Sequence, residues 1–273
     1  MTFTDIEAAF SEPTEQELAK AKQDIAGPVP IVTEVPDTAV DLPRGIHSGG
    51  KWETRAEVRE LNGSDEEALA RFKDNADFID GVVVYGTERI GSLDLSTKSF
   101  ADRQSYLARL LLGEREQLFL AITKATFGDD KTLSYTCVCG LESELDLKLS
   151  RDFLAPEIDG LQSGAFSYVS SKGKSIEYRL VTGADQMEAT ARKGSSAADQ
   201  NTLILSRCVS LVNGMEVLDP LSMARDLSMK DRLGILAAMA EKQPSPDKTL
   251  DFECPGCGRV TKLEVAWSDI FRP

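Results

Sequence analysis

The sequence predicts an α+β protein made of two related tandem units behind an extended N-terminal arm. Three observations predict it. Short motifs in the first half return in the same order in the second. Two close cysteine pairs, Cys137/Cys139 and Cys254/Cys257, stand at matching places in those halves. The first fifty residues carry nine acidic residues against three basic ones, and five of the eleven prolines, a composition too polar to bury a core of its own.

Residues 1–51 are expected to form the arm. Glu15 to Ile25 has the pattern of a short helix with Thr14 as its N-cap. From Pro28 to Pro43 the prolines and β-branched residues predict an extended chain. The single histidine, His47, falls in a Gly-rich join before Lys51 that is expected to be flexible.

The first unit is expected over residues 52–155. Ala56, Val58 and Glu60 predict a strand. Ser64 and Glu67 have capping-box spacing and predict a helix over 65–73. Val82-Val83-Val84-Tyr85 is β-branched and predicts a strand or a buried segment. Leu107, Leu110, Leu111, Leu118, Leu120 and Ile122 place a helical region over about 100–126, broken at Gly113. Residues 134–149 alternate around Cys137-Val138-Cys139-Gly140, the pattern of a strand, a knuckle and a returning strand.

The second unit is expected over 156–273. Tyr168-Val169, the turn Lys172-Gly173-Lys174 and residues 176–181 predict a hairpin. A helix starts at Thr182-Gly183-Ala184-Asp185, and Thr202–Leu205 is a further apolar segment. Ser228 to Glu241 predicts a helix with Leu233, Leu236, Ala237 and Met239 inward. Phe252 to Gly258 holds the second knuckle, and Leu263, Val265 and Trp267 alternate after it.

The relation between the units rests on four ordered matches. Arg59 to Asp65 pairs with Arg179 to Asp185, and Asp102-Arg103 with Asp231-Arg232. Cys137-Val138-Cys139-Gly140 pairs with Cys254-Pro255-Gly256-Cys257-Gly258, and Leu149 to Phe153 with Trp267 to Phe271. One such match is weak, but four in the same order predict an internal duplication. The alternative is two unrelated α+β domains. Units of this length make a tandem pair, not a solenoid.

Each knuckle suits a soft metal ion. The turn aims backbone amides at the sulfurs, and the glycine behind it takes the positive φ that such a turn needs. Two thiolates from each unit complete the tetrahedral set that zinc prefers. Cys137, Cys139, Cys254 and Cys257 are therefore the expected ligands of one structural Zn2+, in a zinc-ribbon-like site that joins the units. The alternative is four reduced thiols. A catalytic zinc is disfavoured, because four cysteines leave no position for water. Cys208 lies in an apolar stretch and is expected to be a buried bystander.

Several functions are excluded or poorly supported. A net charge of -14 opposes free nucleic-acid binding and anionic membranes. Basic and aromatic residues are not interleaved near the knuckles. There is no long apolar run and no leader pattern at the N-terminus, so folding in a reducing cytoplasm is expected, where close cysteines favour metal over disulfide. There is no phosphate-binding glycine loop, and His47 lacks a fixed setting for a catalytic triad. The protein is not expected to be an enzyme.

The sequence resembles the baseplate hub assembly proteins of T-even-like bacteriophages and their relatives in other tailed phages. The resemblance is carried by Val58-Arg59-Glu60-Leu61-Asn62-Gly63-Ser64-Asp65-Glu66-Glu67, by the apolar helical middle, and by the Cys-Pro-x-Cys-Gly knuckle leading to Trp267-Ser268-Asp269-Ile270-Phe271. It covers roughly residues 52–153 and, more loosely, 165–273. It implies a non-enzymatic protein of the virion tail, made in the bacterial host cytoplasm, that helps to build the baseplate with other tail proteins as partners. The arm would lie along such a neighbour. The alternative function is a cytoplasmic zinc-ribbon module of the transcription or translation machinery.

Overall fold

The structure, a computed structural model, describes residues 38–72, 75–191 and 194–271. Strands β1 (Ala39–Ser48) and β2 (Lys51–Val58) pair antiparallel. Gly49 and Gly50 join them at φ 57° and 84°. Two successive positive φ values make the two-residue hairpin turn that glycine pairs favour. Residues 39–51, expected in the arm, therefore hold the edge strand of a sheet and the turn into the next strand. His47 is fixed on β1 opposite Trp52, with ring centroids 5.3 Å apart, rather than lying in a flexible join. The rest of the expected arm, including the helix at Glu15 to Ile25, lies outside the described residues.

Helix α1 (Gly63–Leu69) starts one step before the expected cap. The Asn62 side chain, not Ser64, accepts the free N–H groups of Ser64 and Asp65 at 3.0 and 3.3 Å. Helix α2 (Asn75–Gly86) then takes up the Val82–Tyr85 run. That run is buried, as expected, but it is helical and not a strand. Val82, Val83 and Val84 are all sealed from solvent, and burial on every side overrides β propensity. Strands β3 (Thr87–Ile90) and β4 (Leu93–Asp94) complete a sheet of order β1-β2-β3-β4. Helices α3 (Phe100–Leu107) and α4 (Leu112–Phe127) follow, then the hairpin β5 (Asp130–Thr136) and β6 (Glu142–Lys148), and the short helix α5 (Leu149–Asp152).

The second half opens with β7 (Phe166–Val169) and β8 (Ser175–Tyr178). Helices α6 (Gly183–Thr190) and α7 (Ala197–Cys208) lead to β9 (Val209–Val212) and β10 (Met215–Glu216), giving the sheet β10-β9-β8-β7. Next come α8 (Pro220–Asp226), α9 (Met229–Glu241), the hairpin β11 (Thr249–Glu253) and β12 (Val260–Glu264), and α10 (Trp267–Phe271). The fold is α+β, and both halves run strand, strand, helix, helix, strand, strand, helix, helix, strand, strand, helix. Between the sheet and the hairpin the helices do not correspond one to one. Ser99-x-x-Asp102-Arg103 opens the first helix of its pair, whereas Ser228-x-x-Asp231-Arg232 opens the second.

Of the four residues expected inward on α9, Met239 is buried and Leu236 packs partly buried against the core, but Leu233 and Ala237 do not turn inward. Ile235 and Met239 point into the core, while Leu233 is 58% exposed and Ala237 also faces solvent. The stripe is set by the i, i+4 pair Ile235/Met239, and Leu233 lies outside it.

The described residues form one compact unit in which the halves interlock. The first core gathers residues from Leu42 to Phe153 and also takes Val265, Trp267 and Ile270 from the end of the chain. Phe119 packs against Trp267 and Phe271, each at 5.7 Å between centroids. The second core, around Ile176, Leu205 and Ile235, takes Leu111 from the first half. Backbone bonds cross as well, from Gly183 N–H to the Leu110 carbonyl at 3.0 Å and from Ala184 N–H to the Ala108 carbonyl at 2.7 Å. Gly113 lies in the first turn of α4 rather than at the helix break. A Cβ there would overlap the Pro244–Ser245 backbone, so glycine is what lets the halves approach.

Candidate metal centre

Each small hairpin delivers one cysteine pair. In the first, Cys137 N–H reaches the Leu141 carbonyl at 2.9 Å, and Gly140 N–H reaches the Cys137 carbonyl at 2.8 Å. In the second, Cys254 N–H reaches Arg259, and Gly258 N–H reaches Cys254, at 2.9 and 2.8 Å. Gly140 and Gly258 have φ of 87° and 67°, as the knuckle requires. The missing residue of the first knuckle therefore shortens the turn without changing the pair of bonds that shapes it.

The structure brings all four expected residues together. Cys137 Sγ lies 3.8 Å from Cys257 Sγ, and Cys139 Sγ lies 3.8 Å from Cys254 Sγ. All four sulfurs fall within 4.8 Å of one another, and they could hold a metal ion. A tetrahedral thiolate set around zinc, with bonds of ~2.3 Å, has its sulfurs ~3.8 Å apart. The same spacing is far beyond the ~2.05 Å of a disulfide. Among the described residues no other group of three or more His, Cys, Asp or Glu side chains gathers in this way.

The proton chemistry suits a cation. Desolvation works against a Cys254 thiolate, yet the N–H groups of Cys257 and Gly256 outweigh it and bring this thiol down to about 7. At Cys137 the Cys139 N–H favours the thiolate, but desolvation and the three neighbouring sulfurs push the thiol up to about 11. The first negative charge in the cluster thus makes the next one costly. A divalent cation removes that repulsion as it displaces the protons.

Packing beneath the sulfurs was not legible in the spacing. Tyr135 and Phe252 meet edge to face at 4.9 Å and join the hairpins under Cys137 and Cys254. Gly256 lets the Leu141 side chain close over the second knuckle.

Two further polar constellations are structural. Glu114 is sealed from solvent and accepts from Arg44 N–H, Gly45 N–H and Leu111 N–H at 2.6, 2.6 and 2.9 Å. Burial raises its carboxyl above the usual range against those three bonds. Asp185, equally buried, receives Arg179 at 2.6 and 2.9 Å and Arg207 at 2.7 Å. Burial opposes its charge, but the Arg179 and Thr182 hydrogen bonds and Arg207 hold its carboxyl below the usual range. Cys208, placed as expected in the core, lies 3.9 Å from Asp185, and burial pushes its thiol up to about 12. No helix among the described residues is long and apolar enough to cross a membrane.

No curated protein matches the chain. No solved structure matches it either. A family model described as T4 bacteriophage base plate protein matches residues 93–270, well over half of the chain and a span that contains both cysteine pairs. The chain belongs to this family of T4 bacteriophage base plate proteins.

Proposed function

We propose that the protein is a non-enzymatic component of a phage tail baseplate, acting in assembly of its hub, with one structural zinc held by Cys137, Cys139, Cys254 and Cys257. The observation that carries this reading is the family match across residues 93–270, joined to a four-sulfur cluster of zinc dimensions inside it. An all-cysteine set leaves no position for a reacting water, which suits a clasp and not a catalyst. The zinc ties residues 137 and 254 together and so fixes the two halves. The halves descend from one duplicated unit, a reading supported by their shared element order and by the paired Arg59–Asp65 and Arg179–Asp185 bridges.

The protein is made in the host cytoplasm and enters the virion tail, where it binds other tail proteins. Its acidic N-terminal arm docks on a basic surface of a neighbour. The test is a phage carrying a nonsense mutation in this gene, scored by electron microscopy of the particles. Loss of complete baseplates, restored by supplying the protein, is expected; normal baseplates without it overturn the reading. Deleting residues 1–37, which spares β1, is expected to lower incorporation of the protein into particles, and unchanged incorporation overturns the role of the arm.

A further inference from the structure

The two small hairpins are held together at their tips by the cysteine cluster, but their strands do not pair with each other. Among the described residues β5 pairs only with β6, and β12 only with β11. Between them opens a cleft of about 500 Å³, lined on one side by Thr132–Tyr135 and on the other by Leu263–Val265. Leu145 and Asp269 complete its lining.

The peptide groups that face this cleft follow from the ladder. Cys137 N–H bonds to Leu141 and Leu149 N–H to Asp129, so the odd-numbered residues of β5 bond to β6. Antiparallel alternation then turns the N–H and C=O groups of Thr132, Ser134 and Thr136 away from β6. On the other side, Cys254 N–H bonds to Arg259 and Val265 N–H to Lys248. The same alternation turns Val260, Lys262 and Glu264 away from β11. The cleft thus has an unused strand edge on each wall, and such an edge is a template for an added strand.

Charge selects the occupant. Glu264 and Asp269 line the cleft, and no cation does. The exposed face of the adjoining hairpin is acidic too, with Glu142, Glu144 and Asp146 opposite Thr136, Ser134 and Thr132. Leu133, Leu145 and Leu263 supply apolar contact. We infer that this cleft binds an extended segment of a partner protein in which apolar and Lys or Arg residues alternate, added as a strand to the free edge of β5. The inference deepens the baseplate reading and rests on it for the identity of the partner as a tail protein. The arm of this chain fits less well, because its proline-rich stretch carries Glu34 and Asp37 and no cation between Asp24 and Arg44.

The experiment uses the full-length, zinc-replete chain and a nine-residue synthetic peptide alternating lysine and valine. Peptide binding is expected to slow amide exchange at Thr132, Ser134 and Thr136. A glutamate–valine peptide is expected to bind at least tenfold more weakly. Ser134→Pro removes an N–H that the β5–β6 ladder does not use, so it should lower affinity at least tenfold and leave the melting temperature unchanged. Absence of binding, equal affinity for both peptides, or indifference to Ser134→Pro overturns the inference. So does protection of the same amides in the free chain that disappears when residues 1–37 are deleted, since the arm is then the occupant. A chain that ignores the peptide yet restores baseplates to the nonsense mutant overturns the cleft alone and leaves the baseplate reading standing.

Discussion

Asp65 and Asp185 hold the same position in the two halves, but Asp185 gains the Arg207 guanidinium, the Thr182 hydroxyl and the Cys208 thiol as further neighbours. Each takes a two-pronged bond from the arginine six residues before it, Arg59 at 2.7 and 2.9 Å and Arg179 at 2.6 and 2.9 Å. Each also accepts the N–H three residues back, from Asn62 at 2.9 Å or Thr182 at 3.0 Å. Only Asp185 gains a second arginine, Arg207, from the end of α7. The local motif therefore repeats because it is written in seven consecutive residues, while the extra partner depends on how α7 packs. The first half uses a bridge to start a helix; the second uses the same bridge to hold two helices and a strand end together.

Substitutions can break this comparison. Asp185→Asn leaves two arginines without their anion and should cost about 3–5 kcal/mol, by the loss of charged hydrogen bonds to both. Asp65→Asn leaves one arginine without its anion instead of two and should cost less, about 1–3 kcal/mol, by the loss of charged hydrogen bonds. Equal losses in urea unfolding would contradict the distinction. Acid sharpens it. Both carboxyls lie below their usual range in the folded chain. Their stabilisation is therefore full above about pH 5 and lost as pH falls below about 4. Asp185→Asn should flatten that acid limb more than Asp65→Asn does.

Gly113→Ala tests the contact between halves. Its Cβ would overlap the Pro244–Ser245 backbone, and overpacking of this kind costs about 1–3 kcal/mol. The smallest effect is expected at Leu233→Ser. That side chain is largely in solvent, so a change within about 0.5 kcal/mol is predicted, where an inward residue would lose several times more.

The cysteine centre was legible because ligand chemistry and turn chemistry are both local. Cys-x-x-Cys followed by glycine states the donor atoms and the backbone bend in one phrase. The shorter Cys137–Cys139 turn was legible only as a partner to it. The helix over Val82–Tyr85 was not legible as such, since a short apolar run has the same pattern in a buried strand and a buried helix. The strand β1 had a local signal, Gly49-Gly50 between two extended runs, but Pro36 and Pro43 on the same stretch favoured an arm. Pro43 is tolerated because β1 lies at the edge of its sheet. The interlocking of the halves through Trp267 and Leu111 had no local signal, because it depends on distant segments meeting.

On the proposed reading the two halves share one metal ion. The most direct measurement is zinc content per chain in protein purified under reducing, zinc-replete conditions, beside the Cys254→Ser variant. One zinc per wild-type chain, lost in the variant, is the predicted result. A wild-type chain with no zinc would contradict the account.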